Sequence, residues 1–294
     1  MRARVLLGLL AAALAVTLYS IVVATMSVRQ EMRIVADLSS ASISLGAIIV
    51  AIILGATSLY RELELKTVFP ILTRKLRRYE YIVGKYLGIV LTLLVFVALD
   101  GATALTIIAI QSKQHVTLTI VVISVFMAVL GVLLWRAKHT RVFVILPWSL
   151  ALFGAAAWLA DGGGAERQIV LVSIALTVAE VVIVTAIAML FSSFSSPFLT
   201  ATFTLMVFLI GRSSDTLGNL PQRQFGSTVR SAGMVLAKIV PNLVIYVPAR
   251  PLMLGQVPEA PLGPYLAQAW AVALLYAIVL LVLSAVIFRR RDFT

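Results

Sequence analysis

Long apolar runs alternate with short polar interruptions along the whole chain. Eight runs approach or exceed the roughly 20 apolar residues that a helix needs to cross a bilayer. They are Val5–Thr25, Ile43–Tyr60, Ile82–Ile110, Leu118–Trp135, Val142–Ala160, Ile169–Phe191, Phe198–Gly211 and Tyr265–Phe288. The pattern predicts an all-α fold: one transmembrane domain over residues 1–294, a polytopic bundle of six to eight membrane helices. Arg2 and Arg4 before the first run resemble a secretory leader. Its apolar core is longer than the usual 7–15 residues or so and no clear cleavage box follows, so a retained signal anchor is expected. The seventh run is short and must tilt little, thin the bilayer or be shielded by protein.

Composition narrows the class. The chain has 294 residues, 61% hydrophobic and 12% charged, with a mean hydropathy of +1.06. Soluble domains hold about 45–50% apolar and about 25% charged residues. A soluble enzyme, a nucleic-acid-binding domain and a disordered chain are thereby excluded. There is no cysteine, hence no disulfide and no thiolate metal site. His115 and His139 stand far apart with no ligand partner near either, so no metal site is expected.

The net charge of +12 matters through its placement. Eight spans put both termini on one side. If that side is cytoplasmic, it holds 15 of the 24 basic residues, and the short outer loops keep only Arg29, Arg33, Lys113 and Arg167. This bias predicts cytoplasmic termini. The remaining five lie in the long outer segment 212–264, which also carries seven of the ten prolines. Proline forbids one continuous helix there, yet Val235–Val247 is strongly apolar. Irregular backbone at membrane depth survives only against protein or a wet cavity. Short re-entrant or interfacial helices are therefore expected, broken at Pro241 and Asn242. The plainer reading is an ordinary surface loop.

The polar stretch after span two, Arg61–Lys85, is too polar to cross and too regular for a random loop. Leu65, Phe69, Leu72, Leu76 and Tyr79 recur at spacings of four and three, one face of a helix. Pro70 suits a first helical turn and Thr67 a cap. The reading is that span two runs on to about Lys66, then breaks, and a short amphipathic helix follows from about Pro70 to Arg78. Basic residues Arg74–Arg78 would suit anionic lipid. Glu62 and Glu64 would be repelled by it and suit a protein partner instead.

These residues resemble a known pattern. Glu64, Thr67, Leu72, Arg78 and Gly84-Lys85 fall in the order found between spans two and three of ABC-transporter permeases of the export type, the second export class, with the architecture also called type V. Pro241-Asn242-Leu243 and the ending Phe288-Arg289-Arg290-Arg291-Asp292-Phe293 are similar to that family too. Two departures stand beside these matches: Lys75 occupies the place of a usual proline, and the family has six spans. Residues 118–160 read as an inserted hairpin. The resemblance implies a coupling helix in the cytoplasmic loop 61–81, with Glu62 and Glu64 as docking or lever contacts and Arg78 and Lys85 fixing the lever at the headgroups. It implies two permeases, identical or homologous, around a two-fold axis in a bacterial cytoplasmic membrane, with two separate ATPase subunits that bind ATP and Mg.

No G-x-x-x-x-G-K-[ST] motif occurs, since Tyr79 stands where its first glycine would be and Tyr86 follows Gly84-Lys85. The chain itself is expected to bind no cofactor and to catalyse nothing. Gly84-Lys85 reads as close packing plus a snorkelling lysine. Asp100 and Glu180 lie within spans three and six, where a charge costs about 2.5–3.5 kcal/mol at mid-bilayer. With no Lys or Arg deep in any span, each is expected to be protonated or to face a wet cavity. The plain reading bonds them to Thr103 and Thr177; the functional one places them on a substrate or proton path. The serines of Phe191–Pro197 are expected to cap the next helix. Two rivals remain: a proton-coupled secondary transporter using Asp100 and Glu180, and a membrane assembly factor that transports nothing.

Overall fold

The computed structural model describes residues 2–27, 30–64, 78–136, 141–220 and 222–290. Among them every regular element is helical. A backbone in hydrocarbon must satisfy its own hydrogen bonds, and an α-helix does so within a single segment. The long elements are α1 (Arg2–Thr25), α2 (Glu31–Glu64), α3 (Arg78–Gln111), α4 (Val116–Arg136), α5 (Arg141–Leu159), α6 (Gly164–Ser192), α7 (Pro197–Arg212) and α11 (Leu262–Arg290). Between α7 and α11 lie α8 (Ser214–Gly218), α9 (Gln222–Ile239) and α10 (Arg250–Met253).

Among the described residues six helical runs are long and apolar enough to cross a membrane, which makes this a multi-pass helical membrane protein. One of them, Phe143–Ser192, is 50 residues long. As one straight helix it would measure about 75 Å, more than twice the roughly 30 Å hydrocarbon core. It is broken by a 3₁₀ turn at Ala160–Gly163 and by Gly164 at φ +51°, a left-handed conformation that glycine adopts without a Cβ penalty. The break leaves α5 with 19 residues and α6 with 29.

The chain divides into two compact units. The first comprises Met1–Val50, Leu91–Val178 and Arg250–Glu259. Here α2 starts at Glu31, well before the apolar run that begins at Ile43. Its opening turns are serine-rich, yet Val35, Ser39, Ile43 and Ala47 are buried at four-residue spacing. The Ser39 hydroxyl bonds back to the Val35 carbonyl, 2.5 Å, so its own burial is satisfied within the helix. Residues 118–160, read as an inserted hairpin, fall on α4 and α5. The two helices pack together, with Trp148 Nε1 donating to the Phe126 carbonyl at 3.1 Å.

The second unit comprises Ala51–Val90, Ala179–Ala249 and Ala260–Thr294. Its core is the second half of α6, where Val181–Met189 is buried throughout. Gly55 on α2 rests against Ala188 so closely that any side chain there would collide. Tyr86 on α3 donates to the Val182 carbonyl at 2.9 Å. On α11, Ala269, Ala273, Ala277, Ser284 and Phe288 are buried while Leu274, Leu275, Ile278, Val279, Val282 and Val286 are exposed. Apart from Phe288, small residues face protein and large apolar ones face outward, as expected where the surroundings are lipid.

Candidate functional site

The second unit gathers most of the residues singled out above. At one of its ends, α2 and α3 flank the segment 65–77. Glu62 and Glu64 lie in the last turn of α2, and Arg78 is the first residue of α3. Thr67, Leu72 and the expected short helix from Pro70 lie outside the described residues.

Gly84 and Lys85 differ from the sequence reading. No atom of the described residues lies within 4 Å of the place where a Gly84 side chain would begin, so packing among them does not explain this glycine. Lys85 does not snorkel away from the bundle. Its ammonium donates to the Ser58 carbonyl on α2, and it lies 3.4 Å from the Tyr81 hydroxyl and 5.5 Å from that ring's centre. Tyr81 stacks on Phe288 of α11 with centroids 6.4 Å apart. An ammonium at a half-buried position gains more from a helix carbonyl and a ring face than from reaching outward. The ends of α2, α3 and α11 are thus tied together by one cation and two rings.

Glu180 is fully buried on α6, and a cation meets it, contrary to expectation. Arg212 Nε donates to Oε1 and Nη2 to Oε2, both at 2.7 Å. This is the planar two-pronged match of guanidinium to carboxylate. The Glu180 side chain is 0% exposed and that of Arg212 is 23%. Arg212 also lies over the Phe208 ring, 5.4 Å from its centre. Arg212 is the last residue of α7, one step beyond the apolar run, and so it was counted with the outer segment. Its side chain folds back along the helix to reach Glu180.

Geometry explains why that reach works. α6 and α7 leave the same turn at residues 193–196. Glu180 lies about 18 Å back along α6 and Arg212 about 22 Å along α7, at 1.5 Å per residue. α7 therefore ends short of a ~30 Å hydrocarbon core. The turn itself departs from the capping expectation. Ser196 makes no side-chain cap, and Pro197 opens α7. The hydroxyls of Ser192, Ser193 and Ser195 bond to the last carbonyls of α6 instead.

The chain beyond α7 returns to the place it left. The expected break at Pro241 and Asn242 falls between α9 and a 3₁₀ turn at Val244–Tyr246. Asn242 accepts from Val244 N at 2.9 Å and donates to Asp215 at 3.0 Å. Leu243 is fully buried, and its amide caps the end of α7 by donating to the Gly211 carbonyl at 3.0 Å. A side chain at Gly211 would stand 2.8 Å from both the Pro241 carbonyl and Leu243, so only glycine permits this approach. Tyr246 donates to the Ala269 carbonyl on α11 at 3.0 Å. Burial, with Glu180 adding negative charge nearby, holds the Tyr246 phenol above its usual pKa and so keeps it a donor.

Asp100 belongs to the first unit and has a different partner from the one expected. Thr103 spends its hydroxyl on the Leu99 carbonyl of its own helix. The donor to Asp100 Oδ1 is Thr17 of α1, at 2.7 Å. Asp100 Oδ2 is buried without a hydrogen-bond partner among the described residues. Among those residues no cluster of three or more His, Cys, Asp or Glu is placed to hold a metal. Comparison of the chain with protein-family models, with curated proteins and with solved structures finds no match.

Proposed function

We propose that this chain is the permease subunit of an ABC exporter, moved by a separate ATPase chain that docks on the cytoplasmic segment 61–81. The reading rests above all on the clamp at Lys85. Coupling of this kind requires a partner's push to reach the spans without being absorbed by a flexible joint. α2 and α3 are each 34 residues long, about 51 Å, and so project beyond a ~30 Å core. Near the ends that flank residues 65–77, Lys85 joins α3 to α2 and the Tyr81–Phe288 stack joins α3 to α11. A load applied between Glu64 and Arg78 would therefore move three helices together. The bacterial cytoplasmic membrane, cytoplasmic termini and an assembly of two permeases with two ATPases belong to the same proposal.

The proton-driven rival loses one of its two acids, because a carboxylate gripped twice by a guanidinium is a poor proton carrier. It retains Asp100, whose second oxygen has no hydrogen-bond partner among the described residues.

The test is to purify the tagged chain from its native membrane in mild detergent and to measure Mg-ATP hydrolysis in the preparation. Activity should accompany the parent chain and be lost with Glu62→Ala/Glu64→Ala while the level of membrane-inserted chain is unchanged. Full activity in the double variant would sink docking at this loop. So would reaction of a cysteine placed within residues 61–85 with an impermeant maleimide added to intact cells.

A further inference from the structure

Residues 250–259 join the first unit rather than the second, which holds the residues on either side of them. Their hold on that unit is unusual in kind. No residue of α10 is buried, and Pro251, Gly255, Gln256, Pro258 and Glu259 are exposed. Apolar packing is too thin to fasten such a stretch, and segments of this type open at low cost unless polar contacts retain them. Those contacts converge on Arg250. It donates through Nη1 to Asp37 Oδ1 on α2 at 2.6 Å and through Nη2 to Glu166 Oε2 on α6. Gln168 on α6 adds a bond to the Met253 carbonyl at 3.3 Å. Asp37 also faces Arg33 at 3.8 Å. Glu166 forms part of the wall of an open cavity of about 360 Å³, together with Gln30, Glu31, Met32, Arg33 and Gln111.

One guanidinium thus bridges two carboxylates on two different helices. Withdrawing it loses both bonds at once, leaving Asp37 to Arg33 alone and Glu166 without this cation. Such a contact releases as a unit instead of loosening by degrees. We propose that residues 250–259 form a releasable strap across the N-terminal turns of α2 and α6, fastened by Arg250, whose opening frees the Glu166 carboxylate beside the cavity. The strap is defined by contacts inside one unit and needs no ATPase partner, so its test stands apart from that of the exporter reading.

The chain has no cysteine, so Met253→Cys supplies a single thiol on the strap. Its rate of reaction with a water-soluble maleimide is measured on the purified chain in detergent. Arg250→Gln should raise that rate about tenfold, the weight of a charge-assisted hydrogen bond, and Glu166→Gln should do much the same. Asp37→Asn should raise it only about twofold, because that side chain is 54% exposed and its pairing is screened. Exchanging the partners, Arg250→Glu with Glu166→Arg, in an Asp37→Asn background that removes the like charge beside residue 250, should return the rate toward that of Asp37→Asn alone. Ala104→Cys, fully buried in the same unit, reports general unfolding and should stay unreactive in every background. A rate unmoved by Arg250→Gln overturns the strap, as does a parent thiol that already reacts like an unprotected one. Reaction of the Ala104→Cys thiol in step with the strap thiol overturns it too, since opening would then belong to the whole unit. Should Arg250→Gln fail to fold, the exchanged pair decides: slow labelling supports the strap and fast labelling refutes it.

Discussion

Asp100 on α3 and Glu180 on α6 are both 0% exposed, and each lies in a helix apolar enough to cross a membrane. Asp100 receives one hydroxyl, from Thr17 on a different helix, and keeps an oxygen without a partner among the described residues. Glu180 receives a guanidinium that satisfies both of its oxygens. The same chemical demand, a buried acid that must be bonded, is met by a neutral group in the first unit and by a full counter-charge in the second. The difference tracks where a cation is within reach. α7 stops early and brings the head of Arg212 to the level of Glu180, whereas Asp100 is met by the side of α1, whose residues there are small or apolar apart from Thr17 and Ser20. A residue's identity thus says that it needs a partner; the neighbouring helix decides which kind it gets.

That contrast can be broken in four ways, each read as thermal unfolding of the purified chain in detergent. The largest effect belongs to Arg212→Met, which strands a buried carboxylate and should cost about 3–5 kcal/mol. Adding Glu180→Leu should recover most of that loss, because an apolar pair of similar volume is often as stable as the ion pair it replaces. If Arg212→Met melts like the parent, the pair carries no structural weight and the contrast disappears. Gly211→Ala should follow, at about 1–3 kcal/mol, the usual cost of forcing atoms into a filled site; it tests whether the contact between Gly211 and Leu243 holds α7 at the length that positions Arg212. An unchanged melting temperature would show that this approach is loose. Thr17→Val should cost about 1 kcal/mol, the scale of an interhelical hydrogen bond in a membrane, and Thr17→Val with Asp100→Leu should restore it. Smallest is Asp100→Asn, which keeps an acceptor for Thr17 and should shift stability by less than about 1 kcal/mol. A larger loss there would place Asp100 with Glu180 after all.

Much of this architecture was legible in the chain and some was not, for identifiable reasons. Long apolar runs led to helices because a lipid-facing backbone has few other options. Proline and asparagine at 241–242 led to a break because one lacks a donor and the other bonds its own backbone. Arg212 escaped notice because it lies one residue past an apolar run, and run boundaries ignore how far a long side chain folds back. Thr17 could not be found from local spacing, being 83 residues from Asp100. The nearer hydroxyl, Thr103, was the natural guess, but its own helix offered it a carbonyl first. The early start of α2 was hidden because serines read as loop; here Ser39 bonds the preceding turn and Ser42 the Ala13 carbonyl of α1. Gly84 and Lys85 look like neighbours with one task, yet one faces open space among the described residues and the other binds α2.

The meeting of Gly211 and Leu243 has an evolutionary and engineering corollary. Everything from residue 212 to residue 242 departs from and comes home to a single spot on the scaffold. Between residues 218 and 240 such an excursion should tolerate trimming, extension or a foreign insert, provided Arg212, Asp215 and residues 241–243, which fasten its two ends, survive. It is the natural place to graft a reporter onto this protein.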